Sequence, residues 1–135
     1  MTGADLALSI QLKRDFSTHD LREVLYVSDT GAQTVAAGTV RFPLEFNGRI
    51  QGVRAMVNTA PTGASLIVDV NLNGTTVFTT QGDRPTIAVS GSDSGVATPQ
   101  VTAFVAGDYL QFDVDQVGST VAGSDLGVSA QLRRI

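Results

Sequence analysis

The stretch Leu66-Ile67-Val68-Asp69-Val70-Asn71-Leu72-Asn73-Gly74-Thr75 decides the fold class. Leu66, Val68, Val70 and Leu72 recur at every second position, with Asp69 and Asn71 between them. That two-residue period belongs to a strand with one buried face. Asn73-Gly74 follows at once. Both central residues of a type I′ turn need positive φ, so Asn-Gly between two alternating runs is a strong hairpin signal. Thr75 to Thr79 then resumes the alternation.

The same rhythm spreads outward in both directions. Leu44-Glu45-Phe46 alternates up to Asn47-Gly48, and Arg49 to Asn58 forms the next candidate strand, ending at Ala60-Pro61-Thr62-Gly63. On the other side Thr86 to Val89 is a short strand and Ser90 to Thr98 a polar Gly/Ser loop. Val101, Ala103 and Val105 alternate up to Ala106-Gly107-Asp108; Leu110, Phe112 and Val114 continue beyond it. Leu126, Val128, Ala130 and Leu132 mark the last strand. Turn signals at such short spacing predict an all-β antiparallel sandwich, with a jelly-roll-like arrangement ahead of other Greek keys.

Composition agrees. The 135 residues include 14 glycines, while Glu occurs only at 23 and 45 and Lys only at 13, which leaves little material for charged surface helices. The sandwich is expected over residues 41–135, preceded by an N-terminal arm over 1–40. In the arm, Leu6, Leu8, Ile10 and Leu12 share one strand face within Asp5 to Lys13. Ser17-Thr18-His19-Asp20 offers caps for a short helical turn before Leu21, and Val24 to Val27 looks extended again. Residues 30–39 read as a loop with one short edge strand. The arm either adds a strand to a neighbouring subunit or particle surface, for oligomerisation or docking, or simply joins its own sandwich.

At 42% apolar and 16% charged, the chain can bury a core. A net charge of −4 with scattered basic residues offers no footprint for nucleic acid. There is no cysteine for a disulfide, a thiolate zinc site or a thiol nucleophile. The N-terminus lacks a signal-peptide pattern, and no run approaches the roughly 20 apolar residues that span a bilayer. The expectation is a soluble protein without membrane contact.

Few residues are arranged for chemistry. His19 is the single histidine, and Gly91-Ser92-Asp93-Ser94-Gly95 places Asp where a nucleophile elbow needs Ser, so no catalytic residues are expected. Asp113 and Asp115, two apart, point to one strand face instead of facing each other across a substrate. The one partial metal pattern is Asp69, Asn71 and Asn73 before Gly74. It matches the opening of a calcium loop, but Thr80 stands where the bidentate Glu belongs, so no metal or other cofactor is expected. Tyr26 and Tyr109 are the only tyrosines and there is no Trp, a poor supply for a sugar-stacking platform; Tyr109, at the edge of a turn, is the candidate contact if a glycan binds.

Six pieces in order carry a family likeness: Ala60-Pro-Thr-Gly63, Asp69-Val-Asn-Leu-Asn-Gly-Thr75, Arg84-Pro-Thr-Ile87, Ala106-Gly-Asp108, Asp113-Val-Asp-Gln-Val-Gly-Ser119 and Gly123-Ser-Asp-Leu126. Together they resemble a small jelly-roll module of tailed-phage structural proteins. The resemblance implies a non-enzymatic virion component, made in the host cytoplasm and carried on the capsid surface or tail. The reading it favours is a capsid decoration protein that oligomerises, as a homotrimer, and grips the major capsid protein or another virion protein. The alternative is a receptor- or glycan-binding jelly-roll module of a phage tail or head fibre.

Overall fold

The computed structural model describes residues 8–13 by their backbone and residues 22–135 in full. Its strands are β1 (Leu8–Lys13), β2 (Arg22–Ala32), β3 (Phe42–Pro43), β4 (Gly48–Thr59), β5 (Leu66–Leu72), β6 (Thr75–Thr76), β7 (Thr86–Ile87), β8 (Asp93–Ala97), β9 (Ala103–Phe104), β10 (Tyr109–Gln116) and β11 (Ser124–Arg134), with one 3₁₀ turn at Gln81–Asp83. The larger sheet has the order β1-β2-β11-β4-β8, with β9 also on β4; the smaller has β3-β10-β5-β6, with β7 also on β5. All pairings are antiparallel.

The pairing is nested. β2 pairs β11, β3 pairs β10, β4 pairs β8 and β9, and β5 pairs β6 and β7. One long antiparallel hairpin, rolled so that successive strand pairs fall in alternate sheets, gives this order, which is the jelly-roll solution to a sandwich. The expected all-β sandwich is therefore the fold.

Alternation decides which side each strand buries. Val68, Val70, Leu110, Phe112 and Val114 of the smaller sheet meet Val53, Ala55, Val57, Val128, Ala130 and Leu132 of the larger in one buried cluster. Phe42 sits edge-on to Phe112 at 5.6 Å between ring centroids, and Phe46 to Phe104 at 5.5 Å. Phe78 is fully buried although it lies beyond β6. Asn73 (φ 52°) and Gly74 (φ 86°) both adopt the left-handed conformation that the type I′ hairpin requires.

Several expectations shift. The runs Leu44–Phe46, Thr75–Thr79, Thr86–Val89 and Val101–Val105 alternate, yet only two-residue ladders form in or beside them. Leu44 and Phe46 are buried as their alternation expects, although Leu44 exchanges backbone bonds with Asp108 and Gly107 at a turn. In Val101–Val105 the face is reversed, with Val101, Ala103 and Val105 exposed and Phe104 buried. The supposed loop 90–98 contains β8, paired with β4 at its Val53, Arg54 and Met56. As a partly exposed edge strand it carries no apolar rhythm to betray it. The boundary near residue 40 does not divide the sandwich, because β2 lies between β1 and β11 and contributes Leu25 and Val27 to the core. Residues 36–43 run beside β10, through the Ala36–Val114 bridge and β3. His19 and the turn expected at 17–20 lie outside the described residues.

Candidate functional site

The outer face of the smaller sheet gathers most of the polar residues that the sequence singles out. Asp69 on β5 stands opposite Asp113 on β10, and Asn71 opposite Gln111. Asp69 is only 6% exposed. Its Oδ1 accepts from the Thr76 hydroxyl at 2.7 Å and the Val70 amide at 2.8 Å. Burial pushes its carboxyl above the ordinary value; those two bonds and Arg84 oppose the rise, and Asp115 adds to it.

The metal pattern comes apart in this geometry. Along a strand, alternate side chains stand about 6.6 Å apart, whereas one calcium ion gathers oxygens at about 2.3–2.6 Å. Asn71 Nδ2 donates to Asp113 Oδ2 at 2.6 Å. Asn73, in the turn, donates from Nδ2 to Asp108 Oδ1 at 2.9 Å and accepts the Tyr109 amide at 3.1 Å. Asn71 and Asn73 thus tie the hairpin to β10 and to the turn before it, while Asp69 holds β5 to β6 within the hairpin. Among the described residues, no group of three or more His, Cys, Asp and Glu is placed to hold a metal.

Asp113 and Asp115 also serve the fold, on a face that is half-buried instead of freely solvated. Asp113 Oδ1 accepts the Gly38 amide at 2.8 Å, and Asp115 pairs with Arg84 Nη1 at 2.6 Å. Asp108 accepts from the Val105 amide at 2.9 Å and from Asn73, which together hold its carboxyl below the usual range. In the Gly91–Gly95 segment, Arg54 grips Asp93 through Nε at 2.9 Å and through Nη2; with the Gly95 amide this lowers the Asp93 pKa to about 2. Ser94 Oγ accepts the Ala55 amide at 2.8 Å and donates to the Gly95 carbonyl at 2.7 Å. It ties the edge strand β8 to β4. Tyr109 carries the Arg41 guanidinium 4.5 Å from its ring centroid, which occupies one face of the aromatic expected to meet a sugar.

Four of the six family-like pieces, 69–75, 84–87, 106–108 and 113–119, are tied to one another by side-chain bonds. Asn73 binds Asp108, Asn71 binds Asp113 and Arg84 binds Asp115, while Thr62 and Pro85 are held by residues beside the pieces, Val121 and the Val68 amide (at 3.0 Å). Those four pieces form one connected framework.

A concavity lies on the other side of the molecule, where the sequence shows nothing. On the outer face of the larger sheet, Gly127, Ser129 and Gln131 of β11 form the floor of a trough of about 560 Å³. Arg22, Val24 and Tyr26 of β2 make one wall, and Gln51, Arg54 and Met56 of β4 the other. Arg133 of β11 stands in register with both Arg22 and Arg49, so three arginines line up across β2, β11 and β4 at one end. Basic residues that look scattered along the chain meet here only because the register is nested.

In comparisons with known proteins, no family model matches the chain, and neither a curated protein nor a solved structure was found similar to it.

Proposed function

We propose that this chain is a non-enzymatic structural component of a phage particle, a capsid decoration protein that self-associates as a trimer and binds the major capsid protein or another virion protein. The observation that carries the reading is the interlocked framework. Four of the six pieces that resemble a tailed-phage jelly roll are wired to one another, and their carboxylates and amides are engaged in holding turns and strands together. A fold that commits its polar side chains to rigidity suits a subunit whose task is to present surfaces in many copies.

The edges of the larger sheet suit that task. β1 is its first strand and, among the described residues, pairs only with β2. A strand with one free side offers a row of N–H and C=O groups to a neighbour. On this reading self-association runs through β1. The test is the solution mass of the chain with and without residues 1–13. A trimer that falls to folded monomer on deletion supports the reading, and a deletion variant with the same mass as the whole chain removes β1 as the joint.

A further inference from the structure

We infer that the trough over β11 is a binding site for a neutral oligosaccharide. The inference goes beyond self-assembly: it gives the subunit a ligand of its own and does not depend on how copies of the chain join.

Charge selects a neutral ligand, because the ions at the trough are already matched. Arg54 is held by Asp93 through Nε at 2.9 Å, Glu23 is paired with Arg134 at 3.3 Å, and Arg22 is itself engaged. A charged ligand buried there would bring an ion without a partner, which costs far more than burying a hydroxyl that finds a hydrogen bond. The hydrogen-bonding groups left open are uncharged. Gln51, Ser129 and Gln131 line the trough, and among the described residues no hydrogen bond occupies their side chains. Amides and hydroxyls both donate and accept, which is what the hydroxyl groups of a sugar need from a site.

The register sets these groups beside apolar surface. Ser129 stands between Tyr26 on β2 and Arg54 on β4, Gln131 between Val24 and Gly52, and Gly127 between Ser28 and Met56. Tyr26 and Met56 are 41% and 47% exposed. A pyranose ring has an apolar C–H face and a rim of hydroxyls, so a phenol ring beside amides matches both. Tyr109 has the Arg41 guanidinium over its ring, whereas Tyr26 has no such cover among the described residues.

Gly127 keeps the floor open. Its φ is not positive, and a Cβ built there meets nothing within 4 Å, so neither a turn nor tight internal packing calls for glycine. A strand-interior glycine of that kind marks a place where something external comes close. The volume of about 560 Å³ lies within the range of about 300–1,000 Å³ common to small-molecule sites. From Gly127 to Gln131 the floor runs about 13 Å at the rise of a strand, room for a few sugar rings in a row. Strands are paired to both sides of β11, so the floor has no open edge to take up a peptide main chain.

The test titrates the whole chain with neutral glucose-, galactose- and mannose-based hexasaccharides in a calorimeter. A sulfated hexasaccharide and a neutral peptide of alternating serine and leucine serve as comparison probes. At least one neutral hexasaccharide should bind, with an affinity that added salt leaves unchanged. Tyr26→Ala and Gln131→Ala should each weaken it roughly tenfold, and Gly127→Trp should abolish it by filling the floor. Circular dichroism should show all three variants folded, and the two alanine variants decide the matter if Gly127→Trp unfolds. Failure of every neutral sugar to bind, or binding that the folded variants leave unchanged, overturns the proposal. Tighter, trough-dependent binding of the sulfated sugar or of the peptide overturns it in favour of an anionic glycan or a protein partner. The solution mass of the variants separates this result from the trimer reading: sugar binding can fail while self-association persists, and the reverse.

Discussion

Three glycine-to-alanine substitutions separate three physical reasons for a glycine, and Gly118 is the informative one. A Cβ at Gly118 would lie 1.9 Å from the Val121 carbonyl oxygen and 2.8 Å from both the Thr62 amide nitrogen and carbonyl oxygen. All three are backbone atoms, so no side chain can swing aside. The clasp they form joins the 60–63 turn to the 117–123 loop through Thr62 N–H to Val121 O at 2.9 Å and Thr120 N–H to Thr62 O at 3.0 Å. Overpacking costs about 1–3 kcal/mol, and each lost backbone bond about 1 kcal/mol. Gly118→Ala should therefore destabilise by about 3–5 kcal/mol if both bonds open. Gly74→Ala has space, with its nearest neighbour the Tyr109 hydroxyl at 4.0 Å, but must hold φ 86°. It should cost about 1–2 kcal/mol through that conformation alone. Gly127→Ala, with neither constraint, should stabilise by about 0.4–1 kcal/mol. Urea unfolding by circular dichroism ranks all three at once. If Gly118→Ala unfolds at the same urea concentration as Gly127→Ala, the clasp is not what holds these loops and the framework argument fails.

Phe78→Ala should cost about 3–5 kcal/mol, as its ring is fully buried, and thermal melting should show a fall of many degrees. Asp69→Asn should stabilise the protein at neutral pH. Burial raises the folded pKa of Asp69, so its charge disfavours the folded state once pH rises above the unfolded value. The gain should vanish at pH values below the ordinary carboxylate range, where wild-type Asp69 is neutral in both states; denaturation midpoints at the two pH values check this. Asp93 has the opposite sign. Its folded pKa of about 2 gives stability above the unfolded carboxylate value, lost as pH falls through the interval between the two. Arg54→Gln should flatten that acid limb, measured as midpoint against pH, while leaving the alkaline side unchanged.

The strands with one clean buried face are legible from period alone: β5, β10 and β11 run where Leu66–Leu72, Leu110–Val114 and Leu126–Leu132 alternate. Asn73-Gly74 specifies its hairpin because two positive φ values leave few other residues. β8 hides because Asp93–Ala97 is an edge whose residues are exposed or only half-buried. β2 hides as part of an arm, since nothing local tells a strand that its neighbours are β1 and the far C-terminal β11. The same limit conceals the trough. Arg22, Arg49 and Arg133 are far apart in the chain, and only the pairing register brings them into one row. Conversely, Asp69, Asn71 and Asn73 stand out as a calcium-like spacing because a strand and a loop can share a sequence pattern while pointing their oxygens quite differently.

The measurement that tests the central claim most directly is the mass of the intact, purified chain in solution by light scattering at two widely separated concentrations. A structural particle protein that builds by self-association should give three times the chain mass of 14.1 kDa at both. A mass of one chain at both concentrations would contradict it.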